Sequence, residues 1–398
     1  MAIPNFTFTR NPSVKVSVAT QIDGLVTADS DLTLFGNIGA VAGTAVLGAV
    51  LFIQNYGDPV AAQAECDLLF GVGAQLTEMV IAAIKGNLFS DLATKSFPKI
   101  KVIPMANSAT SAGLAAVLAP LIAVPMPFIV LPYPATDSVA LAAVKNQIIA
   151  INASDRGDNG QFGSFAFLAT DADVPSATPS GLAAATEGII IPYLRDLAVT
   201  KANALHKVAA AYAAVCAGNG LPFLPINGAK VGGLVAPVAA TDYLTAGDAG
   251  SIALAMDSGL APMQISVGGD VLAVRSITTR RPIASVEEVA YYDMQDFQVL
   301  YYLRKNAYVL AVQPRYKQAK ATIQKLQALK SELIQLCKGL EALDMLQFVD
   351  KFAGSFTVDR APTNRHAALY RVPVNIVPGF HNKGIALVGT TTFDSVIG

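Results

Sequence analysis

Charge is scarce in this chain. Asp, Glu, Lys and Arg together make 14% of 398 residues, against about 25% in ordinary soluble domains. The net charge is −1, so no global field draws the chain to nucleic acid or to a membrane surface. Hydrophobic residues make 53%. A chain with so few charges must cover much of its surface, in a bilayer or within a large assembly. Cysteine is as rare: Cys66, Cys216 and Cys337 are far apart and odd in number. They suit buried free thiols of a reducing compartment, not a metal site, whose ligands come in close pairs.

Catalytic signatures are missing too. The only histidines are His206, His366 and His381. His206 borders the apolar face of a predicted helix and reads as a boundary residue, and the other two read as loop residues. There is no H-E-x-x-H, G-x-S-x-G or P-loop. Ser154–Gly160, "SDRGDNG", lacks the glutamate that an EF-hand loop needs at its twelfth position, which is Ala166. Asp171 and Asp173 form a D-x-D that reads as a solvated loop. Asn227–Gly233, "NGAKVGG", has the wrong spacing for phosphate. No catalytic residue, cofactor or metal is expected.

One long uncharged run, Leu32–Ile53, could span a bilayer by length. Its glycines, Asn37 and Thr44 favour another parsing: strand Leu32–Phe35, a glycine-rich loop, then strand Val46–Ile53. No basic cluster flanks it, and stable membrane insertion is not expected. The start, "MAIPNFTFTRNP", has no signal-peptide pattern.

Gly71-Val72-Gly73 begins like a dinucleotide fingerprint, but Leu76 stands where the third glycine should be. The residues before it read as a helix, with Asp58 as N-cap and Pro59 at the first helical position. The glycines are therefore expected to join two helices.

Alternation in Ser13–Thr20 places Val14, Val16 and Val18 on one face of a short strand. Between about 30 and 280, strands alternate with helices. The predicted strands are Val46–Ile53, Ile100–Met105, Phe128–Tyr133, Ser164–Ala169 and Ile189–Tyr193. Predicted helices include Ser138–Ile151 and Thr200–Ala217, the latter followed by Gly218 as a natural C′ residue. Such alternation implies an α/β layer with a largely parallel sheet. Two strand-like runs flank a Gly268-Gly269 turn. After about 283 come an aromatic-rich helix broken by Pro314, and a charged helix. The latter carries Ile323, Leu326, Leu329, Leu333, Leu336 and Leu340 on one face. The chain returns to strands over Tyr370–Phe393. From Arg275 onward there are 16 Lys and Arg against 10 Asp and Glu, a net of +6; the first 274 residues have 12 against 19, a net of −7. A basic part facing an acidic partner is one reading, and uneven scatter is the other.

Several segments resemble the contractile-tail sheath proteins of bacteriophages in their compact form. Phe70, Gly71, Gly73, Leu76 and Met79 match the family's F-G-x-G-S-x-L-x-x-M stretch, with Ala74 departing from serine. Gly259, Gly269, Val274, Arg275, Ile277, Thr278 and Thr279 match its "I-T-T" region. Leu303, Arg304, Pro314 and Arg315 match its "Y-L-R … P-R" stretch. "FTVDRAPTNRHAALYRVPVNIV" resembles its closing strands, though Arg365-His366-Ala367 stands for the usual R-L-D. The matches are in order between residues 50 and 393.

The resemblance implies an α/β fold, α+β overall. Its parts would be an arm over 1–24, an outer α/β domain over 25–282, a smaller α+β inner domain over 283–383 and a C-terminal arm over 384–398. It implies a structural subunit that polymerises as stacked, six-fold rings around a tail tube and contracts to drive the tube through the host envelope for genome ejection. Arm strands Val14, Val16, Val18, Ile385, Leu387 and Phe393 would add to neighbours' sheets. Lys317, Lys320, Lys325 and Lys330 would face the tube. The implied partners are other copies, tail tube protein, baseplate and tail terminator proteins, and no nucleic acid. The implied place is the virion tail, with host cytoplasm during assembly. The alternatives are an α/β enzyme with an unrecognised site, and a tube or capsid subunit, which the α/β alternation disfavours.

Overall fold

A computed structural model of the chain describes residues 5–9, 30–41, 43–92, 95–152, 163–172, 186–196, 198–219, 224–237, 252–280, 293–317, 322–360 and 368–377. In chain order the first elements are β1 (Asn5–Thr9), β2 (Leu32–Asn37), β3 (Leu51–Phe52), α1 (Pro59–Phe70), α2 (Gln75–Leu88), β4 (Ile100–Met105) and α3 (Leu114–Leu118). Then follow β5 (Phe128–Val130), α4 (Ser138–Asn152), β6 (Phe165–Phe167), β7 (Ile189–Ile190), β8 (Pro192–Tyr193), α5 (Leu205–Gly218) and α6 (Ile252–Asp257). The last are β9 (Ala261–Ile265), β10 (Val271–Ala273), α7 (Met294–Ala311), α8 (Pro314–Lys317), α9 (Ile323–Glu341), α10 (Val349–Phe352), β11 (Thr357–Arg360) and β12 (Ala368–Pro373).

The main sheet has the order β3-β4-β2-β5-β6-β7. Five strands run parallel, and β3 is antiparallel at one edge. Successive side chains alternate between two apolar layers, as a sheet covered on both faces requires. Leu32, Leu34, Val102, Phe128, Val130, Phe165, Phe167 and Ile190 enter one layer with α1, α2 and α5. Phe35, Ile103, Ile129, Leu131, Ala166, Leu168, Ile189 and Ile191 enter the other with α3, α4 and Ala255 of α6. This is the mixed, largely parallel α/β arrangement expected from the alternation.

Several expected bounds differ. The strand expected over Val46–Ile53 shrinks to Leu51–Phe52, because Gly48 takes φ +74° and its N–H instead reaches Pro104 O at 2.9 Å. The runs expected over Phe128–Tyr133 and Ser164–Ala169 are shorter, Phe128–Val130 and Phe165–Phe167. The run Ile189–Tyr193 divides, giving β7 to the main sheet and β8 to a second sheet, β10-β9-β8. The helix expected from Thr200 starts at Leu205, and Gly218 is its last residue instead of lying beyond it. The alternation read over Ser13–Thr20 lies outside the described residues. The N-terminal strand that is described, β1, lies upstream of it.

Helix α5 was expected to bury one face, yet Val208–Gly218 is buried on every side. A helix apolar all round belongs inside a core, which explains part of the 53% hydrophobic content. It packs on α2 at Gly86, where an added Cβ would lie 2.6 Å from Ala211 O and 2.8 Å from Ala211 Cα. Gly86→Ala gains about 1 kcal/mol of helix propensity. Two backbones must nonetheless separate to admit the methyl, and overpacking costs about 1–3 kcal/mol. The expected net is destabilisation, read as a lower urea midpoint with unchanged slope; a midpoint at or above the parent's would contradict it.

The C-terminal third carries a third sheet, β1-β12-β11, antiparallel throughout. Pro314 ends the aromatic-rich helix as expected, by opening α8 two residues beyond the cap Val312. Leu329 and Leu333 of α9 join Ala307, Leu310, Tyr316, Val358 and Tyr370 in a separate apolar cluster. Ile323, expected on the same face, is 71% exposed, because it stands in the first turn of α9, beyond that cluster.

Candidate assembly surfaces

The glycine turn joins α1 to α2. Asp58 caps α1, accepting from Val60 N at 2.8 Å and Ala61 N at 3.4 Å, and Pro59 is its first residue. The last carbonyls of α1 have no helical donors. The glycine-rich loop supplies them: Gly39 N donates to Phe70 O, Ala45 N to Leu69 O and Thr44 N to Leu68 O, at 2.8 to 3.2 Å. Gly71, at φ +84°, lets that loop close, since an added Cβ would lie 1.9 Å from Val41 O. Phe70, Leu76 and Met79 are fully buried. The turn's nearest neighbour is backbone, which leaves no cradle there for a phosphate.

His206 is half-buried, with Nε2 2.8 Å from Glu78 Oε2. Burial lowers its pKa, although Glu78 pulls the other way. This is the boundary histidine expected from the sequence. Asp171 pairs with Lys201 at 3.1 Å; Asp173, His366 and His381 lie outside the described residues, as does Ser154–Gly160. No group of His, Cys, Asp and Glu suited to a metal occurs among the described residues. No helix among them is long and apolar enough to cross a membrane. Leu32–Ile53 is strand, glycine loop and short strand. All three cysteines are buried and free, and burial raises the thiols of Cys66 and Cys337 to about 12.

The "I-T-T" segment closes the outer edge of the main sheet. Thr279 N donates to Ile189 O at 2.9 Å, Thr279 Oγ1 donates to Thr186 O at 3.0 Å, and Thr186 N donates back to Thr279 Oγ1 at 3.1 Å. Ser276, Thr278 and Thr279 are fully buried. Beside this strap, Arg275 grips Asp293 through two bonds, Nε to Oδ1 at 2.7 Å and an Nη to Oδ2 at 2.8 Å. Met294 N donates to Ser276 O at 2.9 Å. The strap thus fastens the start of α7 to the α/β sheet. Farther along α7, the buried Arg304 reaches Asn152 O, at the end of α4, over 3.4 Å.

Asp296, in the first turn of α7, is held at about 8. Burial is the main cause, neighbouring Asp293 adds to it, and Arg275 opposes it. Its unfolded value is near 4, so the folded state holds a proton that the unfolded state releases between these limits. The associated stability is full below about pH 4 and is lost as pH rises through about 8. Asp296→Asn is therefore expected to remove a fall of up to about 1.4 kcal/mol per pH unit in that window. Urea midpoints at several pH values, parent against variant, check this; parallel curves would refute it.

The third sheet has two outer strands, β1 and β11, on either side of β12. β1 pairs within the chain, Asn5 opposite Pro373 through Thr9 opposite Leu369. Sequence reading missed β1, although Phe6 and Phe8 alternate with Asn5, Thr7 and Thr9. Val14, Val16, Val18, Ile385, Leu387 and Phe393 lie outside the described residues, and so does Lys320. Lys317 ends α8, Lys325 is exposed in the first turn of α9, and Lys330 is half-buried one turn or more farther on. Arg315 pairs with Glu332 at 2.7 Å.

No protein-family model matches the chain, and no curated protein does. Solved structures do match. A sheath tail protein from Listeria innocua is 12% identical, with 88% of this chain and 93% of that one covered and a TM-score of 0.61. A sheath tail protein from Desulfitobacterium hafniense is 15% identical, with 87% and 93% covered and a TM-score of 0.57. The helical sheath of the anti-feeding prophage, in its contracted state, is 14% identical, with 96% and 99% covered and a TM-score of 0.58. The fold is that of tail sheath proteins of contractile systems. These neighbours include non-phage injection systems as well as phage-like sheaths.

Proposed function

We propose that this chain is the self-assembling subunit of a contractile sheath. The observation that carries the reading is the likeness of fold over 87% to 96% of the chain to solved sheath proteins. Subunits would stack as six-fold rings around a tube, and contraction would be a change between two packings of one lattice. The energy would be stored at assembly, so no catalytic residue or cofactor is required.

Within this reading the boundaries at 24, 282 and 383 separate an N-terminal arm, an outer body, an inner part and a C-terminal arm. Support for an inner part comes from the separate apolar cluster shared by α7, α8, α9, β11 and β12. The arm residues Val14, Val16, Val18, Ile385, Leu387 and Phe393 would extend neighbours' sheets. Lys317, Lys320, Lys325 and Lys330 would face an acidic tube, through contacts weak enough to release because salt screens them. Baseplate and terminator proteins would cap the ends of the polymer. Its place would be the tail of a phage or of a related injection system, built in the host cytoplasm.

The test is negative-stain microscopy of the purified chain with a size-exclusion profile. Hollow ridged tubes or stacked rings are expected. A monodisperse small oligomer at high concentration would overturn the reading, and a ligand-dependent rise in melting temperature would then favour the enzyme alternative.

A further inference from the structure

The chain bends twice through left-handed backbone just after α9. Among the described residues, Asp344 and Phe348 are the only non-glycine residues with positive φ, +57° and +62°. They bracket Met345-Leu346-Gln347. The first bend has a plain cause. Helix α9 ends at Glu341; Asp344 N donates to Glu341 O at 3.0 Å, and Met345 N reaches back to Leu340 O at 3.0 Å. That double closure of a helix end calls for a left-handed residue, and Asp accepts the conformation at small cost.

Phe348 is different. A bulky side chain crowds the following carbonyl in this conformation. The ring is not held by the core either, since it is 54% exposed, with Lys351 5.8 Å from its centroid. The backbone is held by its neighbours instead. Glu341 Oε1 accepts from Val349 N at 3.1 Å, and Lys338 pairs with Asp350 at 2.7 Å, so α9 fixes the start of α10. Strain of this kind persists only where the surroundings over-determine it, and it gathers at clamps and switches.

The bracketed residues hold the last described stretch of the chain. Gln347 N donates to Asn375 O at 2.8 Å, Val377 N donates to Met345 O at 3.2 Å, and Leu346 bridges Ile376. The Gln347 side chain adds two bonds, from Nε2 to Asn375 Oδ1 at 3.2 Å and to Ile376 O at 3.4 Å. Met345 and Leu346 are buried and join the main core, which anchors the hold. All of these bonds fall between the end of β12 at Pro373 and the start of residues 378–398.

We infer that Met345–Gln347 is a strained clamp on the root of the C-terminal arm, with Gln347 as its positioning residue. The clamp fixes the point at which residues 378–398 leave the body. It also meets a pull on them before that pull reaches the ladder of β12. Strain at Phe348 keeps the hold weaker than its bonds alone would make it, so the clamp is closed at rest and releasable under load. This inference rests on the self-assembly reading and deepens it, by naming where the arm is moored.

Amide hydrogen exchange of the full chain tests the clamp, and polymer yield tests its use. Phe348→Gly removes the strain and is expected to slow exchange at Gln347 N and Val377 N by about fivefold. Phe348→Asn, which tolerates the same backbone, should act in the same direction; loss of an exposed ring costs little packing in either. Gln347→Ala is expected to speed exchange at Val377 N by about tenfold, to leave the melting temperature within a few degrees of the parent's and to cut polymer yield severalfold. Unchanged or faster exchange in both Phe348 variants would overturn the strained clamp. Parental polymer yield from Gln347→Ala would overturn its role in holding the arm and leave the assembly reading standing. A parent chain that forms no polymer sinks the assembly reading and the mooring with it.

Discussion

Removal of residues 384–398 is expected to abolish polymer formation while leaving the thermal unfolding of the isolated chain within a few degrees of the parent. Those residues hold Ile385, Leu387 and Phe393 in a β-branched run. On the proposed reading the run adds a strand to a neighbour's sheet. Such a link makes about five hydrogen bonds at roughly 1 kcal/mol net each, before any apolar burial. Loss of about 5 kcal/mol weakens each link more than about a thousandfold, enough to prevent rings at working concentrations. The small sheet β1-β12-β11 offers an outer strand on each side, and outer strands carry backbone groups on their free side that another strand can use. Deletion of residues 1–20 should behave differently. It removes β1, which already pairs with β12 inside the chain, and should lower both assembly and melting temperature. Microscopy and calorimetry on the two deletions read the contrast. Undiminished tubes from the C-terminal deletion would sink the arm reading.

How much of this was legible follows the range of the forces involved. The α1–α2 turn was readable because its signals are local: Asp58 and Pro59 start a helix, and two glycines end it. The parallel layer was readable because strands buried on both faces are apolar throughout. The hairpin at Gly268-Gly269 was readable from its turn. Strand β1 was not, since five alternating residues say little until a partner more than 350 positions away is in place. Helix α5 showed helical spacing, yet nothing in its own sequence revealed that every side would be covered. Ile323 fitted the apolar spacing of α9 and missed the core because the helix starts before the cluster does. The matched motif residues also gained a physical meaning only in three dimensions. Thr279 seals a sheet edge, and Arg304 reaches the end of α4.

The strap and the start of α7 give the second large effect. Asp293 stands at the N-cap of α7, yet its carboxylate makes no cap and goes to Arg275 instead. Its side chain is 6% exposed and that of Arg275 20%. Removing one partner of such a buried pair strands the other charge, which costs about 3–5 kcal/mol. Asp293→Ala is therefore expected to lower stability by that amount, near the low end because Arg275 keeps some contact with solvent. Replacing both residues by apolar ones costs much less than breaking the pair. Arg275→Met combined with Asp293→Leu should thus recover most of the loss, and a double-mutant cycle measured by urea denaturation isolates the coupling. Two single effects that simply add would show that the pair contributes nothing beyond packing. The position makes the value matter mechanically. Ile277 bridges to Asp293, and Met294 N bonds to Ser276 O, so the same few residues seal the parallel sheet and tie it to the helix that opens the C-terminal third. In a subunit that is pulled during contraction, the load between the α/β sheet and the sheet bearing β1 and β12 would pass through this junction. On the proposed reading, a variant weakened there would still bind its neighbours through its arms but would yield at lower denaturant than the parent polymer, whereas loss of the arm would leave the junction intact and the polymer absent.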